Sequence, residues 1–598
     1  MEIIVVLCLI CLMLFLLVFT KIANDFIFLG ILALLLVFPT FEDGILKFGI
    51  LSVNDALNGF SNPGLITIAF LYIVSASLIH TGAIEWIGQV LLGKPKTIRQ
   101  AISRITLPVI GLSSFLNNTP VVAMMVPGIS DLSKKTKFSP SKLMIPLCYA
   151  ATLGGVCTLI GTSTNLVVNG LLITEAKINS LGLFDISCVG IPCAVVGAIF
   201  LIFIGHYLLP DRSSSRKQFE NPREYTIEMV IPKSSNLKGK TISEAGLRNL
   251  PSLFLVEVSR GDEVIPAVEP DLRLQEEDRL LFTGVIDSVK ELTNQRGLMP
   301  ATDQLFKLTT PRRWRQLFEV VVSNTSPIVG KTIKEVQFRS YYGAVVIAVA
   351  RNSERVKKKI GDIVINAGDT LLIEANNSFY ERFKDSRDFL LVSSLEDSTP
   401  RSHEKAPLAV LILVLMVISV VFNIFDMLQA SIVTALVLIL SRCLSITQAR
   451  KSLDVSVLLI IAASLGIGRA IETSGLSSQL ANLIVSLANN NVILSLIVIY
   501  FITLLLTEII TNNASAALVF PIALQLANGL GVSVIPYAIA IMMGASAGFA
   551  TPFGYQTNLM VYGPGGYKYS DYLKIGIPMD IIIGITAIIA IIYKWNLF

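Results

Sequence analysis

Charge is what this chain of 598 residues has least of: Asp, Glu, Lys and Arg make up 15% of it, where a soluble protein carries about 25%. Histidine is scarcer still, at three residues, and no H-E-x-x-H, Walker loop or other catalytic constellation is present. Nothing in the chain has the means to use ATP. The seven cysteines, at 8, 11, 148, 157, 188, 193 and 443, lie in or beside apolar stretches without metal-ligand spacing. They read as small buried hydrophobes, not as a disulfide framework or a metal site. A net charge of +5 calls for no nucleic-acid partner. These shortages exclude a purely soluble enzyme and a secreted, fibrous or disordered chain.

The scarcity is uneven. Residues 211–404 hold 57 of the 91 charged side chains, and the other 404 residues hold 34. The chain therefore reads as a polytopic membrane protein with a soluble insert. It starts on an apolar run, Ile3–Phe19, with no basic leader and no A-x-A-like cleavage site. The expectation there is a first transmembrane helix, not a removed signal peptide.

A bilayer-crossing helix needs about 20 apolar residues. Candidate spans before the insert are 3–20, 24–39, 64–92, 142–177 and 184–209. After it come 405–424, 428–442, 455–488, 535–562 and 574–595. Two further apolar stretches, 100–130 and 491–526, carry an Asn-Asn pair at their middle, Asn117-Asn118 and Asn512-Asn513. Polar backbone in lipid costs several kcal/mol unless protein or a water-filled cavity covers it, so both read as re-entrant helical hairpins. The spans 142–177 and 535–562 are interrupted at Gly161-Thr162-Ser163-Thr164-Asn165 and Gly554-Tyr555-Gln556-Thr557-Asn558.

These features recur. GVCTLIGTSTN (155–165) and GFATPFGYQTN (548–558) share Gly, Thr, Gly, Thr and Asn at five positions 393 apart. Thr81-Gly82 and Ser474-Gly475 keep the same offset, and the Asn pairs lie 395 apart. The membrane part thus divides into repeats at 1–209 and 405–598, each with five spans and one re-entrant hairpin. Five is odd, so the second repeat is expected inverted. With the insert inside, Lys21, Lys94, Lys96, Arg99, Arg104, Lys134, Lys135, Lys137, Lys142, Arg442, Arg450, Lys451, Lys568 and Lys574 all fall inside. Lys47, Lys177 and Lys594 fall outside, which places residues 210–404 in the cytoplasm and both termini on the outer side. Inverted repeats with broken helices and paired hairpins are the signature of a secondary transporter. Inside the membrane part, Arg469 and Glu472 read as an i,i+3 pair near the outer interface, and His80 as a packing residue. Glu508, five residues before Asn513, stands as a candidate for the second ion site.

The insert repeats as well. Gly239-Lys240-Thr241-Ile242 returns as Gly330-Lys331-Thr332-Ile333, Arg260 as Arg351, and Asp278 as Asp369, always 91 residues on. Two tandem α+β modules follow, 210–310 (with a linker) and 311–404, each with β-rich runs and a short helical segment after Gly-Lys-Thr. Neither is a phosphate loop, because Ser234 and Thr325 replace the upstream glycine. Lys357-Lys358-Lys359 reads as a solvated turn, with a nucleotide or lipid phosphate as the sharper alternative.

On the Asn-Asn tips and the G-x-x-T-N breaks, the membrane halves resemble the divalent anion–sodium symporter family, the SLC13-type permeases. The stretch ATPFGYQTNLMVYGPGGYKYSDYLKIGIP (550–578) resembles its sulfate-permease subgroup. The insert resembles two TrkA-C (RCK-C) domains. The resemblance implies a homodimer in the plasma membrane and its lipid, working by an elevator motion coupled to sodium, with no enzymatic activity. It also leaves room for an unidentified small-molecule ligand of the TrkA-C pair. By motif, the first sodium site would use Ser113, Asn117, Asn118 and Gly161. The second would use Thr511, Asn513, Gly554 and Glu508. The dianion would lie near Asn118, Thr119, Thr162, Asn513, Ala514, Tyr555 and Gln556. Ala514 stands where the dicarboxylate branch has Thr, which favours sulfate. A sodium:di- or tricarboxylate symporter, another oxyanion such as molybdate, selenate or bicarbonate, a TrkA-C-regulated ion channel or potassium-handling protein, and a transport-dead sensor remain as alternatives.

Overall fold

The computed structural model describes residues 2–597 apart from 84–92, 213–225, 248–252, 267–270, 285–297, 301–315 and 395–404 and the shorter gaps 21, 43–44, 94, 137, 233–234, 261–262, 324–325, 352–353, 357, 359, 376–377, 384–385, 387 and 553. The end of the span 64–92, together with Lys21, Lys94, Lys137, Ser234, Thr325, Lys357 and Lys359, lies outside the described residues. Two compact units are present: Met1–Asp211 with Pro400–Val561 and Lys568–Phe598, and Arg212–Thr399 with Tyr562–Tyr567.

The first unit is helical, with a small antiparallel ribbon, Pro39–Glu42 against Ile45–Phe48, that the sequence pattern did not announce. Among the described residues, six helices are long and apolar enough to cross a membrane. Helix Glu2–Phe19 shows why this face belongs in lipid. Val6, Leu9 and Met13 pack into a cluster with Phe28, Ile31, Ile467 and Ile471, yet Ile4, Phe15 and Phe19 on the outside are equally apolar and exposed. A helix hydrophobic all round has no aqueous face. Helix starts are written locally. Asn62 caps Gly64 N ahead of Pro63, Thr97 caps Gln100 N, and Asp426 with Gln429 and Ser445 with Gln448 form capping boxes.

One expected span is two helices. The stretch 455–488 divides into Val455–Thr473 and Leu476–Leu487, because Gly475 adopts φ +80 and ends the first helix. Two short helices, Val53–Asn58 and Ile446–Ser452, precede the spans Pro63–His80 and Val455–Thr473.

Both apolar stretches with Asn pairs are helical hairpins, Ile98–Ser113 with Asn118–Thr136 and Val492–Thr507 with Asn512–Leu530. The second helices start at Asn118 and Asn512, 394 residues apart. Ser113 Oγ donates to Asn118 Oδ1 (2.6 Å), and Thr507 Oγ1 donates to Asn512 Oδ1 (2.9 Å), each across five residues. The 395-residue correspondence of the Asn pairs is therefore off by one: Asn118 answers to Asn512, and Thr119 to Asn513.

The second unit holds two antiparallel five-stranded sheets of matching order. In the first, Glu263–Pro266, Leu253–Arg260, Arg279–Gly284, Thr226–Val230 and Met299–Pro300 lie side by side. In the second the order is Glu354–Arg355, Ala344–Arg351, Thr370–Ala375, Gln316–Val322 and Phe389–Ser394. The repeated arginine and aspartate are partners. Arg260 Nε and Nη2 reach Asp278 at 2.8 and 2.9 Å, and Arg351 Nε and Nη2 reach Asp369 at 2.7 Å each. Each aspartate also accepts a backbone N–H, from Gln275 or Asn366, and each is essentially buried. A buried carboxylate survives only when so satisfied. The segments after Gly-Lys-Thr open with single turns closed by reciprocal caps, Thr241 with Glu244 and Thr332 with Glu335, and in the second module the short helix Phe338–Tyr342 follows.

Candidate functional site

Each hairpin tip is matched by a broken helix. Met144–Gly155 stops, the chain unwinds, and Ser163–Thr174 begins. Ile535–Ser546 stops, and Gln556–Gly565 begins. The asparagine that closes each motif holds the unwound strand. Asn165 Nδ2 donates to Gly155 O (3.3 Å) and Thr158 O (2.9 Å), and Asn558 Nδ2 donates to Gly548 O (2.9 Å) and Thr551 O (2.8 Å). Unwound carbonyls buried in a membrane protein must find donors, which is why Asn recurs at the same place in both breaks. Tyrosines fix the second break further: Tyr149 Oη donates to Phe549 O (2.6 Å) and Tyr572 Oη to Asn558 O (2.7 Å).

The tips and breaks are cross-linked between halves. Asn118 Nδ2, at the first tip, donates to Tyr555 Oη of the second break at 2.5 Å. Ser163 Oγ and Thr164 Oγ1, at the first break, donate to Asn513 Oδ1 of the second tip, both at 3.1 Å. Four helix N-termini (at Asn118, Ser163, Asn512 and Gln556) thus belong to one polar cluster inside an apolar unit. A small cavity flanks the first tip, lined by Tyr72 and Ser75 of helix Pro63–His80 and by Asn117 and Ser163.

Two oxygen-lined cradles surround glycines. A side chain at Gly161 would meet Gly155 O at 2.6 Å and Ser113 O at 2.8 Å. One at Gly554 would meet Glu508 Oε2 at 3.0 Å, Thr551 Oγ1 at 3.1 Å and Thr507 O at 3.3 Å. Glu508 Oε1 accepts from Ala550 N (3.0 Å), while its buried Oε2 has no hydrogen-bond partner among the described residues. Backbone, hydroxyl and carboxylate oxygens gathered at the two glycines are the ligand types that a hard cation such as sodium takes.

Of the residues expected from sequence, Ser113, Asn118 and Gly161 meet at the first cradle, and Glu508 and Gly554 at the second. Asn117 faces the cavity instead. Thr511 caps Ala514 N (3.4 Å). Thr119 and Gln556 are half-buried in the first turns of their helices. Ala514 packs in the apolar cluster with Val6, Leu9 and Ile510, away from the polar contacts of the tip. Thr507, Asn512 and Thr551 were overlooked, and the one-residue shift in register explains the first two. Asp580 was overlooked too, although an acid inside the apolar run 574–595 is a signal in itself. Arg469 forms its pair with Glu472 (2.6 Å) and also bridges Glu175 (3.0 Å) and Asp55 (3.5 Å). His80 Nδ1 sits 3.4 Å from Gln448 Nε2.

Set against known proteins, residues 14–532 match the citrate transporter family (CitMHS). A Chlamydomonas reinhardtii protein carrying the name sulfur deprivation response regulator is 35% identical over 91% of this chain and 95% of its own length. Two proteins of the same alga named sodium/sulfate cotransporter, 1 and 2, are 27% and 28% identical. Each aligns with 94% of this chain, over 86% and 87% of their own lengths.

Proposed function

The chain belongs to the citrate transporter family, and from that premise we propose that it imports a divalent oxyanion, sulfate foremost, together with sodium. The observation that carries this reading is the reciprocal pairing of Asn118 with Tyr555 and of Asn513 with Ser163 and Thr164. It gathers neutral donors and four helix N-termini at one place. Helix N-termini favour an anion without a fixed counter-charge, and a tetrahedral dianion needs only one such cluster. The names of the algal cotransporters support sulfate and sodium.

In this reading 1–209 and 405–598 are inverted repeats with the insert 210–404 in the cytoplasm and both termini outside. The insert is a regulatory TrkA-C pair. The chain is a homodimer whose tips and breaks move together as an elevator. Sodium occupies the cradles at Gly161 and Gly554, and the anion lies between them, held by Asn118, Thr119, Thr162, Asn513, Tyr555 and Gln556. With the register shifted by one, Asn512 takes the structural role given to Asn513 at the second sodium site.

The test is radiolabelled sulfate uptake into proteoliposomes with and without an inward sodium gradient, competed by succinate and citrate. Sodium-dependent uptake that resists both carboxylates is expected. The family's description as citrate transporters favours one second reading, a sodium:tricarboxylate symporter. Uptake of citrate with silence for sulfate would select it. Sulfate uptake indifferent to sodium would refute the coupling.

A further inference from the structure

The second break differs from the first in its charge. The positions of Ser114 and Ser187 in the first half correspond to Glu508 and Asp580 in the second, 394 and 393 residues on. Ser114 Oγ donates within its own helix to Ile110 O, and Ser187 Oγ donates to Cys157 O at 2.5 Å. Their acidic counterparts can only accept. They do so from consecutive amides of the unwound strand: Phe549 N to Asp580 Oδ1 (3.4 Å) and Ala550 N to Glu508 Oε1 (3.0 Å). Two carboxylates from different helices thus lie on adjacent peptide units. Asp580 is 7% exposed, and among the described residues no lysine, arginine or histidine forms an ion pair with either acid. A backbone N–H satisfies one oxygen but does not cancel a charge, and an uncompensated buried carboxylate is costly.

A third group faces the same place. The Tyr500 hydroxyl has no partner among the described residues, and the side chain is 3% exposed. It lies 3.3 Å from where a side chain at Gly584 would begin, one turn beyond Asp580 on the same helix. The orphaned Glu508 Oε2 lines the Gly554 cradle beside Thr551 Oγ1 and Thr507 O. No three acidic, histidine or cysteine side chains converge among the described residues.

We infer that Glu508 and Asp580 together bind a monovalent cation, sodium, at the second break, with Tyr500 completing the oxygen set. Asp580 and Tyr500 are the members of this set that the motifs leave unassigned. The inference deepens the sodium-coupled reading and rests on it for the identity of the ion. Its structural consequence is an unequal pair of cation sites, a neutral one at the first tip and an acidic one at the second.

The experiment uses the full chain in detergent without sulfate. The thermal unfolding midpoint is followed against sodium chloride, with choline chloride holding ionic strength constant. Wild type is expected to gain stability with sodium. Asp580→Asn and Glu508→Gln should each raise the half-saturating sodium concentration by about tenfold or more, as loss of a charged ligand does. Ser187→Ala should leave it in place. If Asp580→Asn does not fold, Tyr500→Phe decides, with a smaller shift in the same direction. Half-saturation unchanged in the folded variants, a wild type indifferent to sodium, or stabilisation by acid alone would each overturn the inference. Because no anion is present, a protein that fails to import sulfate yet keeps the sodium response would sink the substrate reading and spare this site.

Discussion

Asn118 and Tyr555 offer the sharpest test of how the halves share one site. Asn118 Oδ1 takes the Ser113 hydroxyl and its Nδ2 gives to Tyr555 Oη, and Asn118 is 2% exposed. Asn118→Ala strips both partners. Ser113 keeps a weak alternative in Leu116 O at 3.4 Å. The cost therefore falls low in the range for orphaned buried polar groups, about 1–2 kcal/mol, a factor of roughly 5–30 in an equilibrium constant. Tyr555→Phe removes the acceptor alone and leaves the Asn118 amide short of a partner, at about 1 kcal/mol or more. Because both variants break the same bond, the double variant should be little worse than the worse single one, a coupling of about 1 kcal/mol. The assay is the sulfate concentration for half-maximal sodium-dependent uptake in wild type, both single variants and the double. Costs that add to within about 0.5 kcal/mol would show two independent residues and refute the shared-site argument.

Three further outcomes follow from the geometry. Gly554→Ala places a methyl 3.0 Å from Glu508 Oε2 and 3.1 Å from Thr551 Oγ1, so sodium-dependent uptake should fall steeply while the protein still purifies as a folded species. Gly529→Ala, with no atom within 4 Å of its side-chain position, should retain uptake. In the insert, Arg351→Met abandons the buried Asp369 and should destabilise that unit by about 3–5 kcal/mol. The assay is hydrogen exchange in Thr370–Ala375 of the intact chain, and unchanged protection would contradict the pairing. The Thr332 amide and hydroxyl hold the Glu335 carboxyl below its usual range, as Thr241 does for Glu244. A lowered folded-state value stabilises above the unfolded value of about 4.3, and that contribution is lost as pH falls through the folded value. Local opening of the Thr332 turn on acidification should therefore be steeper in wild type than in Glu335→Gln.

Much of this architecture was legible in the sequence where local chemistry forces it. An Asn pair in an apolar hairpin has to be buried against protein, and the Asn closing each break has carbonyls to satisfy, so both stood out. The 91-residue recurrence of Arg and Asp in the insert was visible as spacing, and its cause, a carboxylate enclosed by its arginine, needed the structure. What failed was register and reach. Two adjacent asparagines cannot tell which of them starts the helix, so the tips were aligned one residue out and Ala514 was given a polar role that its apolar neighbours do not support. The ribbon Pro39–Glu42 with Ile45–Phe48 has too short a pattern to announce itself. The bond from Asn118 to Tyr555 spans 437 positions, a distance over which one sequence carries no pairing information.

That bond and its counterpart from Ser163 and Thr164 to Asn513 have a hereditary consequence. Neither half can drift alone. An exchange at the first tip has to be answered at the second break, and one at the first break at the second tip. In any lineage of such transporters, positions 118 and 555 should change in step, and so should 163, 164 and 513. Chimeras that splice the front half of one relative to the back half of another should work only when those residues come from the same parent.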